Sequence, residues 1–133
     1  PDVFAAVAPV SGLTLEWMYR DCDTPAPIPL FEIHGTEDRT SAWEGDLENR
    51  GGWGAYLPVE IAVGYWVAAN RCVREQTDTL ALRRHPVVAH RFVGGTGGNE
   101  VWLYEVVDGG HSWAEKDMDT SEEIWRFFGR FVK

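Results

Sequence analysis

Residues 4–10 read Phe-Ala-Ala-Val-Ala-Pro-Val, an unbroken apolar run closed by Ser11-Gly12. A strand with no polar side to turn toward water has to be covered on both faces. Parallel sheets flanked by helices meet that condition, whereas one-faced antiparallel sheets show alternation instead. Ile28 to His34, closed by Gly35, reads as a second buried strand of the same kind. The chain of 133 residues fits one compact domain by length, and 44% hydrophobic residues with seven Trp call for a packed core.

Between these strands, residues 13–27 have no period and read as loop, as do residues 36–56 with their charges and the Gly51-Gly52 pair. A helix follows: Pro58 suits its first turn, where a missing N–H costs nothing, and Leu57, Ile61, Tyr65, Ala68 and Cys72 recur at helical spacing, with Asn70 as a stop. Residues 79–83 read as a short strand. Val87 to Val93 and Glu100 to Val107 read as two strands of a hairpin, joined by Gly94-Gly95-Thr96-Gly97-Gly98-Asn99. That glycine-rich stretch is not read as a phosphate loop, because a strand follows it and not a helix whose N–H groups would face an anion. A last helix begins at Thr120, with Glu123 at capping-box spacing, and shows Ile124, Phe127, Phe128 and Phe131 on one apolar face. This order has βαβ character but too few strands for a complete doubly wound sheet. The expected class is α/β, a partial and mostly parallel sheet with flanking helices, in a single domain over residues 1–133.

The formal net charge of −9 argues against nucleic acid or an anionic membrane as main partner, since phosphate binding needs a basic stripe and Arg83-Arg84 is the one basic pair. No apolar run approaches the roughly 18–20 residues of a membrane span, and no cofactor motif is present. The chain starts at Pro1 without a Met, directly ahead of strand-like sequence, so its true beginning is expected elsewhere and targeting is not judged from this end. Cys22 and Cys72 leave open one disulfide or two free thiols.

Chemistry concentrates after two strand ends. Asp38 stands in His34-Gly35-Thr36-Glu37-Asp38, just beyond the second strand, at the sheet edge where ligands bind in open α/β folds. A carboxylate there suits the task of accepting the Nδ1–H of a histidine and fixing its tautomer, with Glu37 as local rival. His111 stands in Asp108-Gly109-Gly110-His111-Ser112-Trp113, after another strand end, where the glycines permit the sharp turn that presents a ring. Nucleophile activation by a base that is itself held by an acid needs this pair. No Gly-x-Ser-x-Gly elbow occurs, and Ser11, Ser41, Ser112 and Ser121 all lack the setting of a nucleophile.

These residues, in this order, resemble the C-terminal part of the esterase family that contains polyhydroxybutyrate depolymerases and feruloyl esterases. The resemblance rests on residues 4–12, His34-Gly35-Thr36-Glu37-Asp38, Trp66 through Asn70-Arg71-Cys72, Gly109-Gly110-His111-Ser112-Trp113 and Ile124-Trp125-Arg126-Phe127-Phe128. It departs at Arg71, where the family often has Gly, and in Arg39-Thr40-Ser41-Ala42-Trp43, which lacks the family's Pro. The resemblance implies the C-terminal portion of an α/β-hydrolase fold without the half that carries the nucleophile. It also implies a serine carboxylesterase for the intact parent and secretion, with no cofactor or metal. In that reading Asp38 is the triad acid, His111 the general base, and Trp43 and Trp113 line the substrate pocket. The chain alone is then expected to be inactive. Its partners are an ester substrate and either the N-terminal half or a second copy pairing through an open strand edge. A peptidase on the same plan, or a non-catalytic carbohydrate-binding domain using exposed Trp such as Trp43, Trp53 and Trp113, are the alternatives.

Overall fold

Two short connections decide the sheet. β2 (Arg74–Leu80) and β3 (Val87–Val93) are separated by residues 81–86, and β3 and β4 (Val101–Val106) by residues 94–100. A parallel crossover needs about a dozen residues or more, so each pair returns antiparallel, with Arg74 opposite Val93 and Val87 opposite Val106. β1 (Leu30–Gly35) is followed instead by a long loop and helix α2 (Val59–Asn70), and it pairs parallel with β4, Leu30 beside Val101. The strand order is β1-β4-β3-β2. This computed structural model describes residues 3–23 and 25–132.

The mostly parallel sheet of a partial α/β-hydrolase fold is therefore not what this chain builds. Two of the three ladders are antiparallel, so the small sheet is mixed, and its helices are few. The expected hairpin of β3 and β4 is present, and the strand expected at 79–83 lies earlier, as β2. Residues 4–10 do not form a continuous strand: Val7 and Val10 make isolated parallel bridges to Leu30 and Ile33. Ser11 N–H donates to Ile33 O at 2.8 Å to continue that contact. The two-faced burial expected of this run is only partial: Ala6, Ala8 and Val10 pack against one cluster and Val7 against the other, all partly covered, while Phe4 and Ala5 are exposed. A short helix, α1 (Glu16–Asp21), occupies the stretch read as loop.

Alternation along the strands sorts the apolar side chains onto two faces. Phe31, Ile33, Val87, Ala89, Trp102, Tyr104 and Val106 pack on one side with Phe127 of α3 (Thr120–Gly129). Leu30, Val101 and Leu103 pack on the other, under Val59 and Val63 of α2. Phe127 is the hinge of the first cluster, its ring 5.3 Å from that of Phe31 and 5.1 Å from that of Trp102. Asn70 ends α2 as expected but does more than stop it. Wholly buried, it donates to Ile28 O and Trp66 O at 2.9 Å and accepts from Asn99 Nδ2 at 2.9 Å, tying the helix to the segment before β1 and to the β3–β4 connection. Arg71 then takes a left-handed φ of 56°, a conformation that glycine adopts most readily. Cys22 and Cys72 are free thiols. Among the described residues no helix is long and apolar enough to cross a membrane.

The capping residue of α3 is Asp119, one position before the Thr120 expected from the capping-box spacing. Its side chain accepts from Glu122 N–H at 3.1 Å, while Thr120 is buried with its hydroxyl unpaired. On β3, His90 lies between two carboxylates, Nδ1 3.0 Å from Glu75 and Nε2 3.0 Å from Glu105. Burial disfavours its charge, but hydrogen bonds and attraction from both carboxylates outweigh burial and raise its pKa above 6.5. A histidine with a raised folded pKa stabilises fully below its unfolded value and loses that contribution as pH climbs through the folded one. Thermal melts should therefore show the native chain losing stability relative to His90→Gln as pH rises from 6 to 9. Asp119→Ala should cost about 1 kcal/mol in denaturant titration, and Thr120→Val should not reproduce that loss.

Candidate functional site

The ends of β1 and β4 are brought together by a backbone contact that only glycine permits. A Cβ on Gly35 would lie 2.6 Å from Gly110 O and closer still to the Gly109 carbonyl. With no side chain in the way, Glu37 N–H donates to Gly109 O at 2.9 Å and Thr36 N–H to Val106 O at 3.0 Å. Asp108 N–H in turn donates to Thr36 Oγ1 at 2.9 Å. Two loops far apart in sequence are thus stitched side by side, with Asp38 on one and His111 on the other.

Asp38 and His111 meet there. His111 Nδ1 is 2.9 Å from Asp38 Oδ2. The other carboxylate oxygen accepts from Thr40 N–H and Ser41 N–H, each at 2.8 Å, so the loop's own amides hold the carboxylate in one orientation. The Asp38 side chain is wholly buried, whereas that of His111 is 46% exposed. The rival Glu37 points to solvent. An ionised Asp38 can only accept, so His111 carries its proton on Nδ1 and leaves Nε2 as a free acceptor. No described residue hydrogen-bonds to that nitrogen. Such a ring can take a proton from a hydroxyl or water placed before it, and the carboxylate behind it favours the cation that forms.

None of the chain's four serines supplies that hydroxyl. Ser11 Oγ donates to Ser112 O at 3.3 Å, Ser112 Oγ accepts from Ala114 N–H at 3.1 Å, and Ser121 Oγ faces the Trp113 indole N–H at 3.4 Å. Ser41 is buried on the acid loop, its N–H bonded to Asp38. The two tryptophans expected beside the pair part company. Trp113 is half-exposed at the foot of α3. Trp43 is half-buried, its ring centroid 6.0 Å from that of His34, and its carbonyl accepts from Val59 N–H at 2.9 Å.

Two groups that the sequence reading left without a role stand behind the acid. Glu32 and His34 project from the same face of β1 and are buried together, Glu32 Oε1 2.8 Å from His34 Nδ1. His34 Nε2–H donates to Ser41 O at 2.7 Å and lies 3.5 Å from Asp38 Oδ2. Burial pushes the Glu32 carboxyl up, against the pull of His34. Burial would lower His34, but its bonds to Glu32 and the Ser41 carbonyl and the charges of Glu32 and Asp38 raise it instead. The pair therefore holds a proton tightly between them. The sequence signal was available: two titratable residues at i and i+2 in an otherwise apolar strand share one face. On the far side, residues 83–85 strap the segment after His111. Arg83 donates to Glu115 O at 2.6 Å, Arg84 N–H to Lys116 O at 3.2 Å, and His85 Nδ1 sits 2.7 Å from Asp117.

Among the described residues no group of three His, Cys, Asp or Glu side chains is arranged to hold a metal ion. No protein-family model matches this chain, and no curated protein matches it. The arrangement of Asp38 and His111 leads to a direct expectation. Gly35→Ala should cost about 3 kcal/mol or more, because the new methyl meets backbone and not a yielding side chain. A low-field Nδ1 proton of His111 is the expected NMR signature of the native pair, and it should vanish in the same variant; its persistence would mean that the loops meet without this contact.

Proposed function

We propose that Asp38 and His111 are the acid and the general base of a serine carboxylesterase, and that the nucleophilic hydroxyl comes from sequence outside these 133 residues. The observation that carries this reading is the 2.9 Å bond from His111 Nδ1 to a buried, doubly amide-held carboxylate, with Nε2 left open at the surface.

In the proposed reaction His111 Nε2 removes the hydroxyl proton as the oxygen attacks the ester carbonyl. It then returns that proton to the departing alcohol, and an acyl-enzyme remains. Water, deprotonated by the same nitrogen, releases the acid and restores the hydroxyl. Asp38 keeps its charge throughout and orients the ring. The resemblance to polyhydroxybutyrate depolymerases and feruloyl esterases supports the esterase reading, and Trp113, exposed two residues beyond the base, is assigned through it to the substrate pocket. Trp43 is assigned to the same pocket through the same resemblance, although its ring packs toward His34. The carbohydrate-platform reading has less support: Trp53 and Trp113 are exposed, but no aromatic pairing links them to each other or to Trp43.

The 133-residue chain alone should show no turnover of p-nitrophenyl butyrate above buffer, since it lacks a nucleophile. A longer polypeptide that contains this segment should hydrolyse the ester, and Asp38→Asn should lower kcat about 10⁴-fold with the fold intact. His111→Ala should be at least as damaging. Full ester hydrolysis by the His111→Ala protein would overturn the assignment.

A further inference from the structure

Behind the buried carboxylate of Asp38 the chain holds another, Glu32, which stands in a strand interior at 6% exposure. A carboxyl there loses its hydration and must be repaid by specific partners. It has two, and both use the same oxygen: Gly12 N–H donates to Oε1 at 3.2 Å and His34 Nδ1 lies 2.8 Å from it. No described residue hydrogen-bonds to Oε2.

Glu32 also lines a cavity of about 100 Å³ beneath α2, whose other walls include Leu13, Leu30, Tyr56, Val63 and Trp66. Apart from Thr14 and the Tyr56 hydroxyl its remaining side chains are apolar, and the space is of the same order as the ~150 Å³ that admits a benzene ring in a protein interior. Gly12 keeps the carboxyl side open, since a Cβ there would lie 3.3 Å from Oε2 and 2.9 Å from Pro9 Cβ. A mostly apolar cavity with a few convergent polar groups is the arrangement that small-molecule sites favour.

We propose that this cavity binds a small apolar alcohol or phenol, its hydrocarbon body against Leu13, Val63 and Trp66 and its hydroxyl donating to Glu32 Oε2. A neutral donor fits better than a cation, because His34 already lies against Glu32 and supplies the balancing proton. An anion is excluded by the carboxylate itself. A fully apolar ligand would fill the space but leave Oε2 dry and unpaired. This site is independent of ester hydrolysis, and nothing in it requires His111 to act on a substrate.

The test uses the 133-residue chain, with phenol and toluene as probes of equal size that differ in one hydroxyl. Methyl resonances of Val59 and Val63 and the indole resonance of Trp66 should shift saturably with phenol. Phenol should bind about tenfold more tightly than toluene, as one charge-assisted hydrogen bond provides after its desolvation. Glu32→Gln, equal in shape, should bring the two within about twofold. Ala62→Leu, which narrows the cavity from α2 without touching the carboxyl, should weaken both at least fivefold and serves equally if Glu32→Gln does not fold. Equal binding of phenol and toluene by the native chain would overturn the proposal. So would shifts that do not saturate, or phenol binding that survives Ala62→Leu unchanged.

Discussion

Everything at the rim of this sheet depends on the distance of closest approach between Gly35 and the Gly109-Gly110 backbone. Strand pairing alone puts β1 and β4 side by side, but side chains would hold the loops beyond them apart. Removing one Cβ lets the carbonyl of Gly109 reach the amide of Glu37. The direction of the next residues follows from that bond: Asp38 turns inward under its own loop amides, and His111 turns outward above it. The acid and base are held by backbone geometry first and by their mutual hydrogen bond second. This is why a half-exposed imidazole can be kept in one orientation without packing around it.

Behind the rim lies a second polar layer, and its charges are linked. Asp38 Oδ2 faces His111 on one side and, at 3.5 Å, His34 Nε2 on the other. His34 in turn shares a proton with Glu32. In a medium that screens weakly, a carboxylate between two imidazoles is fixed more firmly than one salt bridge would fix it. The cost is a strand whose interior contains two titratable side chains, and the chain offsets it by satisfying nearly every lone pair. The oxygen left over, Glu32 Oε2, is the exception and the one that opens on a cavity.

Much of this was legible along the chain. β1, α2, the β3–β4 hairpin and α3 stand where apolar periodicity and turn residues put them, because local pattern dictates each element's type. Asp38 and His111 were recognisable because two glycine-bearing strand ends each offered one half of an acid–base pair. The errors have physical causes as well. The apolar run at 4–10 was read as a continuous buried strand, yet it joins β1 only through isolated bridges at Val7 and Val10 and packs partly covered against both clusters. The α3 cap fell one residue early because Asp119 and Thr120 are both good caps and only the surrounding packing chooses between them. Glu32 was passed over although Glu32 and His34 stand two positions apart in the sequence; what the spacing could not say is that both side chains are buried and bonded to each other.

Sequence by itself determined the elements and the chemical kinds of residue at their ends, since both follow from periodicity and from what glycine, aspartate and histidine can do locally. Tertiary structure decided strand direction, through connections too short to cross over. It also decided which oxygen of each carboxylate found a partner and whether Cys22 and Cys72 would meet; they do not. Direction, pairing and burial depend on distances between residues far apart in the chain, and no local pattern contains those distances.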